Sequence, residues 1–299
     1  MKILTDDSLF NFSDWVKEPI TDIYAGCGCV MALLWDGRTL YKSIDGSSGP
    51  DPCEWSRIKQ IAISRIVFNA AIGLREDGSC ALSFDPFDPF ETDPARVIRD
   101  WKNIKQVAAS DAFFGLDSDG RVHYAWLSST LHDRYDDYAA TAEWKNVRKI
   151  IAHSTQSVFG ITEDGHVLCA GRKTTNGPHG DLRERIASIS GVRDVCTYGA
   201  ECDGIFILLE NGTVIAFPRG DILRDQNGIS IKPLMAPNDR KVIDGHVSYY
   251  LYILTNEQRL CCIGRENTSS VFPEEYPVRS FAMGDNGRFA PFVVALAEY

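Results

Sequence analysis

Along most of the chain the apolar and polar positions repeat one unit: an apolar run, a tight polar turn with glycine, and a second apolar run. Ala71 to Leu82 shows it, and it returns at Phe113 to Val122 and Phe159 to Leu168. Further copies turn at Asp36-Gly37, at Asn211-Gly212 and, in degraded form, at Asn256-Glu257, so successive turns lie roughly 41 to 47 residues apart, a propeller-blade period. Asp-Gly and Asn-Gly predict a two-residue type I′ hairpin, which needs positive φ at both central residues. No stretch holds a helical period over a dozen residues, although Asp181 to Ile189 suits a turn or two.

A second mark precedes each hairpin. Trp55, Trp101 and Trp144 each stand a few residues ahead of a β-branched residue and another apolar one, Trp15 begins a looser copy, and Val192 to Val195 and Val278 to Phe281 keep the apolar pair without the ring. A large ring at one fixed phase of a repeat is expected to wedge between neighbouring sheets. Seven lead-ins are counted, at Ile23, Ile61, Val107, Ile150, Val195, Val242 and Phe281. Segments 46–52, 85–94 and 218–237, rich in Pro, Gly, Asp and Ser, read as loops. The last copy stops where its outer strands are due, and Ile3 to Trp15 is free to supply them. The expectation is one all-β domain over residues 1–299: a seven-bladed β-propeller with four antiparallel strands per blade, its ends sharing a blade.

Charge narrows the choice of partner. Against 31 basic residues stand 41 acidic ones, a net charge of −10, and such a field repels phosphate backbones unless a local basic patch overrides it. The densest basic stretches, Lys145 to Lys149 and Arg183 to Arg185, are short and broken, so nucleic acid is not expected. Nine cysteines, and two acids before any apolar run at the amino terminus, point to a reducing, cytoplasmic setting. No apolar run approaches the roughly 20 residues that span a bilayer, so no membrane is expected, and the chain is expected to be monomeric.

Ile23 to Gly37, with an inner strand ending in Ala-Gly and a hairpin of Ala-Leu-x-x-Asp-Gly form, resembles the regulator of chromosome condensation repeat, and Arg121 to Trp126 matches that family's outer strand. The resemblance spans nearly the whole chain and implies a seven-bladed propeller. Cys29 and Gln156 stand where the family usually has His, and its Gly-Gln-Leu-Gly stretch is absent. Several members are guanine-nucleotide exchange factors or chromatin binders; the acidic balance opposes the latter, and no loop matches an exchange surface. The short blades are closer to bacterial stand-alone propellers that bind other proteins.

Aligning the inner strands puts His153 and Tyr198 in register with Gly26, Ser64, Ser110, Gly245 and Gly284. There they would offer a donor and an acceptor at a channel mouth, with Asp244 near their level, or merely fill space. Cys27, Cys29, Cys261 and Cys262 lack the spacing of a zinc site; no metal and no cofactor is expected. Two loops mix acids with aromatics, and Phe87, Phe90, Tyr135, Asp136, Asp137 and Tyr138 are the candidates for anchoring a protein at the rim, the equal alternative being that these loops fold back over blade edges. No nucleophile, phosphate loop or metal motif is recognisable. The expected function is a non-enzymatic module that displays loops to a protein partner. A small-ligand or enzymatic site at the channel mouth is the alternative, and nucleotide exchange or chromatin binding the weaker one.

Overall fold

The structure, a computed structural model, describes residues 2–5, 10–43, 54–64, 67–68, 70–84, 93–127, 138–152, 157–171, 181–198, 204–217, 221–223, 228–233, 251–263, 268–285 and 291–298. They form seven antiparallel sheets. After β1 (Lys2–Thr5), the first sheet is β2 (Ile20–Ala25), β3 (Cys29–Leu34) and β4 (Thr39–Ser43), and the second is β5 (Ile58–Ile63), β6 (Ala71–Arg75) and β7 (Cys80–Ser83). Helix α1 (Pro94–Arg99) leads into the third, β8 (Ile104–Ala109), β9 (Ala112–Asp117) and β10 (Val122–Trp126). A 3-10 turn (Ala139–Glu143) leads into the fourth, β11 (Val147–Ile151), β12 (Val158–Thr162) and β13 (Val167–Ala170). Helix α2 (Leu182–Ile186) precedes the fifth: β14 (Val192–Tyr198), β15 (Gly204–Leu209), β16 (Val214–Phe217) and β17 (Asp221–Leu223). The sixth is β18 (Gly228–Pro233), β19 (Leu251–Thr255), β20 (Leu260–Ile263) and β21 (Thr268–Ser270). In the seventh, β22 (Val278–Asp285) and β23 (Pro291–Ala297) are joined by β1, with Lys2 opposite Ala297 and Thr5 opposite Val294. First strands of successive sheets lie side by side at β2 and β5, β5 and β8, β8 and β11, and β14 and β18; β14 lies beside β12, β22 beside β19, and β22 also lies beside β2.

Four details differ from the sequence reading. A fourth strand is present, among the described residues, only in the fifth and sixth sheets. The sixth lead-in is Ile231, paired with Ile253, and not Val242; Gly228 and Pro233 made this strand read as loop. Helix α1 forms where the Pro-rich 85–94 segment ends, because the Asp93 carboxylate accepts the Ala95 N–H at 2.9 Å and Pro94 follows at the position that lacks a helical partner anyway. The hairpins are not type I′: Gly37, Gly78, Gly120 and Gly165 have positive φ, but the aspartates before them do not. Instead Gly37 N–H donates back to Leu34 C=O at 3.0 Å, and the Asp36 carboxylate accepts the Arg38 N–H at 3.1 Å, a type I turn closed by a glycine bulge.

These glycines do a second job. The C=O of Gly37 accepts the Ile58 N–H of the next sheet at 2.9 Å, Gly78 does the same for Ile104 at 3.3 Å, and Gly165 for Val192 at 3.0 Å. A Cβ on Gly37 would lie 2.8 Å from the Arg57 Cα. These hairpin tips are thus pressed against the backbone that starts the following sheet, where positive φ and close approach favour glycine; at the sixth hairpin Gln258, with φ of 60°, takes the place and its C=O accepts the Val278 N–H at 2.7 Å.

The tryptophans are wedges. Trp55 packs with Met31 and Leu33 of the first sheet and Ile58 and Ile61 of its own; Trp101 joins Ile72 and Leu74 to Ile104 and Val107; Trp144 joins Phe114 and Leu116 to Val147 and Ile150. Trp15 fills the same place between β23 and β2. Each of the three regular wedges lies on a glycine of its own middle strand: an ideal Cβ at Gly73 or Gly115 would meet the ring at 2.7 Å, and one at Gly160 at 2.9 Å. In the fifth and sixth sheets, which lack the Trp, the same register position holds Ile207 and Ile253. Leu182 and Ile186 of α2 pack beside Ile207. Ring and methyl groups therefore exchange across the repeat to fill one volume, as close packing demands.

Gly115→Ala is expected to destabilise the fold by about 1–3 kcal/mol, seen as a lower urea midpoint, and Trp101→Leu in the same chain should recover part of the loss. Hairpin carboxylates make stability acid-sensitive. Hydrogen bonds from Arg38, Ser79 and Thr162 hold Asp36, Asp77 and Asp164 below the usual carboxylate pKa. A depressed folded-state pKa contributes stability that is complete above the unfolded value near 4 and is lost as pH falls through the folded one. The melting temperature should be level above about pH 5 and fall below about pH 4, by a modest amount because these side chains are exposed; Asp77→Asn should flatten the fall.

Candidate functional site

One channel-like cavity of about 280 Å³ is lined by residues from the first strands of all seven sheets. Every first strand carries a β-bulge at one place, between Ile20 and Asp22, Ile58 and Gln60, Ile104 and Gln106, Val147 and Lys149, Val192 and Asp194, Gly228 and Ser230, and Val278 and Ser280. A bulge adds one unpaired residue and re-aims those that follow. The result is a polar layer at the end of the channel nearest the hairpins.

That layer ties sheet to sheet. Gln60 uses both amide atoms on the third sheet: its Oε1 accepts the Val107 N–H at 3.0 Å and its Nε2 donates to the Val107 C=O at 3.2 Å. Gln106 repeats this on Ile150, at 2.8 Å for both bonds. Lys149 Nζ meets Asp194 Oδ1 at 2.9 Å, and Ser280 Oγ donates to Asp22 Oδ1 at 2.9 Å. Between the first and second sheets the Tyr24 hydroxyl bonds to the Ile61 backbone, and burial, with the Asp22 charge next, raises the Tyr24 pKa well above its usual value. The bulge residues add to the ties, since Lys105 donates to Val147 C=O at 3.3 Å and Arg148 to Val192 C=O at 2.6 Å.

Deeper in, Ala62, Ala108, Ile151 and Ala282 line an apolar belt. At the far end lie the small residues aligned from the sequence: Cys27 N–H donates to Ser64 C=O at 2.9 Å, and the Ser64 hydroxyl donates to Ser110 C=O. A Cβ on Gly26 would sit 2.5 Å from the Ser64 oxygen, so a larger residue has no room there.

His153, Gly245, Asp244, Phe87, Phe90, Tyr135, Asp136 and Asp137 lie outside the described residues, as does the side chain of Tyr198, whose backbone ends β14. Tyr138 corrects the rim assignment. It is fully buried, its hydroxyl donates to the Asp111 carboxylate at 2.6 Å, and its ring stacks on Trp126 at 4.7 Å between centroids; a residue committed to the core in this way is not an exposed anchor. Sequence reasoning passed over Trp35, which is 72% exposed at the first hairpin tip. The corresponding tips carry Glu76, Ser118, Glu163, Glu210 and Asn256, and that contrast within the repeat was the available signal. Burial pushes the Cys80 thiol up to about 11, away from thiolate chemistry. No group of metal-ligating side chains occurs among the described residues.

Human WBSCR16 superposes with a TM-score of 0.61 at 12% identity, over 95% of this chain and 88% of that one. Prp20p from Saccharomyces cerevisiae, studied for its binding to Gsp1p and histones, gives 0.59 at 12% identity over 93% and 82%. The same yeast RCC1 (Prp20), in its complex with Kap60, gives 0.60 at 12% identity over 93% and 80%. The fold is that of an RCC1-like β-propeller. No family model and no curated protein sequence matches the chain. In this propeller the channel polar groups serve first to join neighbouring sheets.

Gln106→Leu strands the Ile150 N–H and C=O beside the channel, and an unsatisfied buried polar group costs about 1–3 kcal/mol. The variant is expected to melt lower than wild type by several degrees, whereas Lys17→Ala, on the exposed surface, should leave the melting temperature within a degree or so.

Proposed function

We propose that the seven sheets are the blades of a closed seven-bladed ring, and that the ring is a non-enzymatic module which binds a protein partner. Closure is supported by the pairing of β1 with β23 and by β22 lying beside β2. The observation that carries the functional reading is the pairing of a stapled scaffold with an exposed Trp35. The Gln60, Gln106, Lys149, Asp194 and Asp22 side chains are engaged by neighbouring blades, while a large aromatic stands in solvent on a rigid turn, as a binding anchor does. Prp20p, of like fold, binds proteins, namely Gsp1p, histones and Kap60.

A small ligand in the channel is the second reading, favoured by the cavity of about 280 Å³, which approaches the lower end of ligand pockets at about 300 Å³. The prior engagement of its polar groups weighs against it. Affinity purification of the full chain, followed by native mass spectrometry, separates the two. The module reading expects a stoichiometric protein whose affinity falls about tenfold or more with Trp35→Ser, a loss of about 1.4 kcal/mol. A metabolite as the sole companion would overturn it.

A further inference from the structure

The bulges do more than aim the stapling side chains. We propose that the mouth of the channel on the hairpin face is a docking site for an acidic segment of a protein, an inference that rests on the protein-binding reading above. The unpaired residue of the bulge is basic in five of the seven blades: Lys59, Lys105, Arg148, Arg193 and Arg279. These positions are far apart in sequence, and the ring places them around one opening on a chain whose net charge is −10.

Their charge is largely unspent. Lys59, Lys105 and Arg279 are exposed and Arg193 is half-buried. Arg148 pairs with Glu210 at 3.1 Å, but Lys59, Lys105, Arg193 and Arg279 have no carboxylate within ion-pair distance among the described residues. The two carboxylates at the same level are already held, Asp194 by Lys149 and the Val195 N–H, Asp22 by Ser280 and the Ile23 N–H. Held against each other, Lys149 and Asp194 leave the mouth positive.

Farther from the axis the sign reverses. The hairpins join second to third strands, and their tips carry Asp77, Asp119 and Glu163, together with Asp36 and Glu210, which are paired to Arg38 and Arg148. A positive centre within a negative collar suits a short acidic segment that delivers carboxylates to the middle. It disfavours a nucleic-acid duplex, whose phosphates would run across the collar, since like charges brought together at an interface cost several kcal/mol. Trp35 stands on the same face, which also favours protein over phosphate backbone.

The test is a fluorescence-anisotropy titration of the full chain with a labelled oligo-glutamate peptide, and in parallel with single-stranded and duplex DNA of similar charge. The ring variant is Lys59→Glu, Arg193→Glu and Arg279→Glu; these side chains make no bond to a neighbouring blade among the described residues. Lys17→Glu, Arg96→Glu and Arg99→Glu, all exposed and off the ring, change the net charge equally. The proposal expects the ring variant to bind the peptide at least tenfold more weakly and the control variant within about threefold of wild type, with unchanged melting temperatures. Neutral Gln at the three ring positions should fall between them, and serves if the reversal variant does not fold. The proposal is overturned if wild type does not bind the peptide, if both variants lose equally, or if DNA binds more tightly. Should that happen while a stoichiometric protein is still captured, and its capture is indifferent to the ring variant, the protein-binding reading stands and only this site is lost.

Discussion

The inner edge of every sheet is the constraint from which the rest of the architecture follows. A first strand that borders the channel has one edge with no strand beside it, and the N–H and C=O groups on that edge lose water without gaining a ladder. Gln60 and Gln106 answer this by placing an amide across the gap, so that one side chain imitates a segment of strand for Val107 and for Ile150. Where the repeat departs from Gln, a lysine-aspartate pair, a serine-aspartate bond or a tyrosine hydroxyl spans the same gap. The chemistry differs from sheet to sheet.

The bulge at the start of each first strand makes that solution possible, because it turns the following side chain toward the next blade. Its cost is an extra residue that no partner strand holds. In this chain the extra residue is mostly Lys or Arg, so one local device yields both the staple and the positive ring. The outer parts of the blades are joined differently, by Trp wedges on Gly73, Gly115 and Gly160 and by hairpin glycines seated on the next backbone. Amide, ring and glycine contacts act at increasing distance from the axis and together resist both sliding and splaying of blades.

Such rigidity bears on binding. A partner that meets a preformed surface orders few side chains there, and the entropy lost on association is small. On the proposed docking, the concentric arrangement of charge would supply orientation, with long-range attraction toward the axis and repulsion at the collar.

The repeat, its period, the hairpins, the Trp wedges and the sharing of a sheet by the two ends of the chain were all legible in the sequence, because they rest on short-range patterns of apolar residues, glycine and tryptophan. The sequence misled where a local signal had two outcomes: Asp-Gly serves a type I turn with a glycine bulge as well as type I′, Gly228 and Pro233 bound a strand as readily as a loop, and Tyr138 in a polar stretch turned inward to Asp111. Of the candidate site, the register of Gly26, Ser64 and Ser110 was readable. The staples and the basic ring were not, since Gln60 meets Val107 and Lys59 shares a mouth with Arg279 only once the sheets are arranged about an axis. A scan along the chain finds short, broken basic stretches; tertiary structure decides that one residue from each of several blades adds to a single field, because electrostatic energy depends on distance in space and not on separation in sequence.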